Sequence, residues 1–228
     1  MDKRDSQRIY LLSAWQRICL LMKAEFGPYL SQVLPSVLNM AALNPEMGIA
    51  GQDTLAELTD VLKEVTPAAA EEGGSKKFNV MTDEIEEKDV ALQMLSVFID
   101  EVPEVCFNFI EPISKLLMAQ TDYQANDSIR GTSASTLPCL MKAAKVGGAD
   151  VATLHSMAKT FNKNLYEAMQ KEMDTDTLIT QVQAFKDVID EAGPGLMTAE
   201  EVAHIGEKSL DIVTKSLERI AQNNQLPS

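Results

Sequence analysis

Aromatic residues make up only 5% of the 228-residue chain, with a single tryptophan, and basic residues are outnumbered, 20 lysines and arginines against 34 aspartates and glutamates. The resulting net charge of −14 opposes binding to a phosphate backbone or to an anionic membrane surface. Cysteines are few: Cys19, Cys106 and Cys139 stand far apart with no Cys-x-x-Cys spacing, which excludes the common zinc and dithiol motifs and reads as reduced core residues. No run approaches the roughly 18 uninterrupted apolar residues of a membrane helix, and Gln16, Arg17 and Lys23 interrupt the first apolar stretch before it could serve as a signal peptide. The expectation is a soluble, intracellular protein. Alternating strand-like runs are also missing, and with them a βαβ fold.

What the chain does have is 45% hydrophobic residues, enough for a sizeable core, arranged at helical spacing. Ala91, Leu92, Leu95, Phe98, Ile99 and Val102 mark one helix face, with Asp83 and Glu86 as a capping box before it. After Val102-Pro103, a second helix continues through Val105, Phe109, Ile113, Leu116 and Leu117. The same pairing recurs upstream, where Trp15, Ile18, Leu21 and Met22 precede a Gly27 stop, a Pro28 start and the stripe Tyr29, Leu30, Val33, Val37 and Leu38. A third pair runs from Asp127 to about Lys145 and from Asp150 to about Lys171, the latter striped by Leu154, Ala158, Phe161, Leu165 and Met169. The fourth uses Leu178, Val182, Phe185 and Ile189, then Val202, Ile205, Ile212, Val213, Leu217 and Ile220 after a Thr198–Glu201 capping box.

Aligning Ile18, Leu95, Leu137 and Phe185 as equivalent first-helix positions gives separations of 77, 42 and 48 residues; the last two sit near the roughly 40 to 47 residues of a HEAT or armadillo unit, and the first is one such unit plus an insertion. The fold predicted is all-α: a right-handed, armadillo-like HEAT-repeat solenoid of about four helix pairs, at 5–45, 83–121, 127–173 and 174–223, forming one domain over 1–228. An insertion at 46–82 breaks the rhythm, with a short helix expected at 53–65 and a flexible Ala/Glu/Gly loop at 66–77.

In the third unit, Asp127-Ser128-Ile129-Arg130 followed by Ala134, Leu137, Pro138 and Leu140 reads as a HEAT first helix. Asp127 can cap it, Arg130 can pair with Asp127 or an aspartate of a neighbouring unit, and Pro138 can bend it. Together with Leu12-Ser13-Ala14-Trp15, Glu25-Phe26, Tyr29-Leu30, Glu86-Glu87-Lys88 and Gln93-Met94-Leu95, in this order, these runs resemble an internal portion of an importin-β (karyopherin) family receptor. The resemblance extends from about Tyr10 to Asn223 and implies nuclear import of proteins by a receptor shuttling between cytoplasm and nucleus. It further implies basic-signal cargo held by second helices, Phe-Gly nucleoporins held between first helices, and Ran bound through repeats outside this chain. Family members carry a strongly acidic run in the insertion, whereas Ala68 to Gly74 here is milder and Lys76-Lys77 follows.

No catalytic constellation accompanies the repeats. His155 and His204 lie on different units without ligating neighbours, and Gly147-Gly148 and Gly193-Pro194-Gly195 read as interhelical turns, not phosphate cradles. No metal, no cofactor and no enzymatic activity are expected, nor nucleic-acid or membrane partners. Glu207, Asp211 and Glu218 on the last helix, and Glu167 on the third unit, recur at helical spacing away from the apolar stripes. They are the candidate cargo-binding acids, with a solvated face interspersed by Lys208 and Lys215 as the alternative. A HEAT-repeat scaffold subunit of a constitutive complex is the rival function.

Overall fold

The computed structural model describes residues 7–43 and 80–223, except for the side chains of 7–8, 80–83, 204 and 216–223. The expected insertion helix at 53–65 and loop at 66–77, and the side chains of Asp83, His204, Leu217, Glu218 and Ile220, lie outside the described residues. Helices α1 (Gln7–Met22) and α2 (Gly27–Ala42) are joined by a 3-10 turn, Lys23–Phe26. Helix α3 (Val80–Glu101) leads through the turns Pro103–Cys106 and Phe107–Phe109 into α4 (Ile110–Gln120). Then come α5 (Asp127–Val146), α6 (Val151–Lys171), α7 (Thr175–Ala192) and α8 (Ala199–Asn223). There is no strand among the described residues.

The first helices form one layer, α1 on α3, α3 on α5 and α5 on α7, and each of α3, α5 and α7 also packs on the second helix that precedes it. No helix pair could bury its apolar face alone, so the stack shares one continuous core. Its centre is aromatic: Phe26 and Phe98 are fully buried with ring centroids 5.3 Å apart, and Trp15 meets Phe26 edge-on at 6.0 Å.

Local sequence explains most helix starts. Asn126, Asp150 and Asp174 each turn a side-chain oxygen to the backbone N–H three residues on, at Ile129, Thr153 and Thr177. Thr198 and Glu201 form the expected reciprocal box: Thr198 N–H donates to Glu201 Oε2 (2.8 Å) and Glu201 N–H donates to Thr198 Oγ1 (3.2 Å). These bonds hold the Asp150, Asp174 and Glu201 carboxyls below their ordinary pKa.

Several expected details are corrected. The cap of α5 is Asn126, and Asp127 is the first residue inside the helix. Asp83 lies within α3, which already begins at Val80. Gly27 is right-handed and opens α2. The left-handed residue after α1 is Lys23, with φ of 51°. What favours a glycine at 27 is close approach, because a Cβ there would sit 3.2 Å from Val105 Cγ2 and push that side chain aside. On α1, Leu21 is 85% exposed and Ile18 is also outside, while Leu12 and Cys19 are buried and Trp15 and Met22 half-buried. Val182 of α7 and Val202 and Val213 of α8 are exposed too.

Candidate functional site

The second helices α6 and α8 flank a groove. Helix α6 buries Leu154, Ala158, Phe161, Leu165 and Met169 toward the core, which turns its next face toward α8. Helix α8 buries Ile212 and half-buries Ile205, and it is tied to α6 by long side chains. Lys159 Nζ lies 3.0 Å from Glu201 Oε1, Lys208 Nζ sits 4.7 Å above the Tyr166 ring, and Lys215 Nζ donates to Gln170 Oε1 at 3.2 Å. The gap left between the helices is a cavity of about 220 Å³. Its apolar lining is Tyr166, Met169, Phe185, Met197 and Ile205, and its polar lining includes Asn162, Lys163 and Glu201.

The candidate cargo acids stand around this groove without lining it. Glu167 on α6 and Glu207 on α8 are exposed. Asp211 is exposed but its carboxylate is held by Lys215 at 2.7 Å, one helical turn on. The backbone of Glu218 continues α8, and its side chain lies outside the described residues.

The first-helix signature residues are structural in placement. Arg130 presents a fork to Glu172, Nε to Oε2 at 2.6 Å and Nη2 to Oε1 at 2.8 Å, and gives Nη1 to the Tyr123 carbonyl at 3.0 Å. The expected aspartate partner is thus replaced by Glu172, which follows α6 and whose side chain is 2% exposed. Glu172 also accepts from the N–H groups of Met173 and Asp174 and from Gln181 Nε2, and Gln181 reaches the Thr121 carbonyl. Hydrogen bonding to Glu172 raises the Arg130 pKa further still. Pro138 is buried inside α5, where it supplies no N–H to the carbonyl of Ala134.

Between first helices α5 and α7 lies a second groove, of about 440 Å³, but Ser128, Thr132, Ser135 and Thr180 line it along with Asp127 and Asp174. It offers hydroxyls and carboxylates, a poor seat for a phenylalanine. Other chemistry is sparse. Burial pushes the Cys19 thiol up to about 11 and those of Cys106 and Cys139 up to about 12, so none is a ready thiolate. No group of three or more His, Cys, Asp or Glu that could hold a metal occurs among the described residues. None of the described helices is long and apolar enough to cross a membrane.

Two features escaped the sequence reading. Asn162 falls in phase with the stripe of Ala158 and Leu165, and a polar residue on an apolar stripe was the available signal. Lys88 is fully buried, donates to the Leu43 carbonyl at 2.6 Å and lies 4.7 Å from the Tyr123 ring centre. The charged run Glu86-Glu87-Lys88 gave no hint of this.

The two-layer helical stack is a HEAT-repeat solenoid like that of Kap121p. In particular, 142 residues, 62% of this chain, are 21% identical to 13% of importin subunit beta-3 of Saccharomyces cerevisiae (strain ATCC 204508 / S288c). A crystal structure of Kap121p superposes with a TM-score of 0.72 at 16% identity, over 96% of this chain and 21% of that one. Kap121p bound to Nup53p gives 0.72 at 16%, and Kap121p bound to Pho4p gives 0.71 at 16%, each over 98% of this chain and 21% of that one. The chain therefore spans about a fifth of the length of these structures. No protein-family model matches the chain.

Proposed function

We propose that the chain is a segment of a nuclear transport receptor of the importin-β kind, which binds protein cargo reversibly and has no catalytic role. The observation that carries the reading is the solenoid itself, matched across nearly the whole chain to Kap121p, which has been solved with the SUMO protease Ulp1p, Nup53p, Ste12p and Pho4p. In this reading the segment folds as one solenoid domain, 1–228, of units at 5–45, 83–121, 127–173 and 174–223. Cargo with basic import signals meets the acids of the second helices, Glu167, Glu207, Asp211 and Glu218. Nucleoporin contacts and Ran-dependent release belong to the longer receptor, which shuttles between cytoplasm and nucleus. Asp127, Arg130 and Pro138 hold the stack in shape. Glu167 and Glu207, exposed and without an ion pair among the described residues, are the stronger pair of acids, since Lys215 already neutralises Asp211.

Fluorescence anisotropy with a lysine-rich import-signal peptide and its charge-matched scramble tests this at low and physiological salt. The true signal should bind tighter at physiological salt, and Glu167→Lys with Glu207→Lys should weaken it by about tenfold or more. Equal binding of signal and scramble would remove the cargo site from this segment. A large salt-insensitive interface with another subunit would favour a scaffold.

A further inference from the structure

The groove between α6 and α8 is opposite in charge to the molecule that carries it. On a chain of net charge −14, its lining contains three lysines, Lys159, Lys163 and Lys208, and a single acid, Glu201. Lys159 is paired with Glu201. Two cations remain for a ligand: Lys208, poised over Tyr166, and Lys163, exposed and without an ion pair among the described residues. The surrounding interior is apolar, and at about 220 Å³ it is smaller than the roughly 300 to 1,000 Å³ typical of small-molecule sites. It has room for one bulky side chain.

Asn162 supplies an independent sign of a missing ligand. It is 5% exposed, lines the cavity, and neither its Oδ1 nor its Nδ2 has a hydrogen-bond partner. Buried amides are rarely left so, because an unmade bond leaves the desolvation of each group uncompensated. A group offering one donor and one acceptor side by side would satisfy it, and a peptide unit does.

We propose that this groove docks an extended peptide segment bearing one large apolar side chain flanked by acidic residues. The apolar side chain enters among Met169, Phe185, Met197 and Ile205. On docking, the buried Asn162 amide turns toward the cavity to bond the peptide backbone, and the flanking carboxylates meet Lys163 and Lys208. This partner is the reverse of a basic import signal, and the inference goes beyond the receptor reading without resting on it. The long-range field of a −14 chain opposes an acidic ligand. At physiological ionic strength, however, the Debye length is about 8 Å and the local lysines decide.

The test is anisotropy at physiological salt using the full chain and three labelled peptides. One has a single phenylalanine flanked by glutamates and aspartates, one replaces the phenylalanine by serine, and one replaces the acids by lysines. The first should bind at least about tenfold tighter than the other two, and Lys163→Glu and Lys208→Glu should each weaken it by about tenfold. Asn162→Leu should weaken it while leaving the melting temperature unchanged or raised, since it removes an unpaired buried amide. Circular dichroism confirms that each variant is folded. Absent binding of the acidic peptide, equal binding of the lysine-flanked one, or indifference to both charge reversals overturns the proposal, as does a dimer in sedimentation that Lys163→Glu dissolves. The basic import signal, if it binds, should respond to Glu207→Lys and not to Lys163→Glu, which keeps the two readings separable.

Discussion

Gly147 shows how tightly single residues register one unit on the next. A Cβ at this position would lie 2.1 to 2.4 Å from three atoms of the Phe107 ring, a distance that no real contact tolerates. The backbone is not the constraint, since Gly147 has an ordinary φ of −71°. Gly147→Ala should therefore destabilise by about 1 to 3 kcal/mol in urea titration, through overpacking alone. In a Phe107→Ala background the same change should cost nothing or stabilise slightly, because alanine loses less backbone entropy than glycine. Additive costs in that cycle would show that the ring does not set the spacing. No sequence pattern announced this contact. Gly147-Gly148 was legible as a turn, but the ring pressed on it comes from 40 residues upstream, where Phe107 carries no sign of its partner.

At the scale of elements, helices α3 and α6 were readable because their buried faces are made of large apolar residues at the right period. Helix α1 was not. Ile9, Tyr10, Leu11, Leu12, Trp15, Ile18, Cys19, Leu20 and Leu21 surround it with apolar side chains, so periodicity cannot choose a face. Helix α7 was legible only in part, for the opposite reason: Phe185 and Ile189 of its stripe pack half-buried on the core, but its buried face is Thr177, Gln181, Ala184, Val188 and Ala192, mostly small or polar residues that hydrophobic counting passes over. Those residues allow close packing on α5 and place the Gln181 amide in the Arg130–Glu172 network. Arg130→Met should cost about 3 kcal/mol by thermal or chemical unfolding, near the low end for a buried pair broken from one side because Arg130 keeps partial exposure. Replacing Glu172 as well, in an Arg130→Met/Glu172→Met double variant, should recover part of that loss. A double variant worse than the single would mean that the backbone bonds of Glu172 to Met173 and Asp174 matter more than the ion pair.

For the whole molecule, the all-α class followed from pattern, whereas the groove did not, because α6 and α8 meet only through the fold. Global stability should also carry a distinctive alkaline profile. Desolvation lowers the Lys88 pKa from 10.5 to about 8, so between those values the unfolded chain binds a proton that the folded chain lacks, and stability rises with pH. The three thiols, two buried and that of Cys139 half-buried, act the other way. Their pKa values rise from 9.0 to between about 11 and 12, so above pH 9 the folded chain keeps protons that the unfolded chain releases. Unfolding followed by circular dichroism should show a nearly level stability from pH 8 to 9, where a gain of about 1 kcal/mol from Lys88 is offset by a similar loss from the thiols, then a decline as three thiols outweigh one amine. Lys88→Met should bring the decline forward, to a loss of about 1 kcal/mol between pH 8 and 9, whereas alanine at all three cysteines should uncover a rise of the same size. A profile flat from pH 8 to 11 in the parent would contradict both assignments.

The manner in which α8 is attached gives the stack uneven stiffness. Toward α7, the units are locked by a buried polar knot and close helix contact, where any change of angle strands groups that have no water to turn to. Beyond it, α8 hangs from α6 on three lysine straps whose ends are wet. Solvent-facing contacts of this kind, one ion pair, one cation–π contact and one hydrogen bond, are each worth about 1 kcal/mol or less, so they can lengthen, swap partners or let go at little cost. Bending or pulling on the array would concentrate its give at that seam, a soft joint beside the stiff one between α5 and α7.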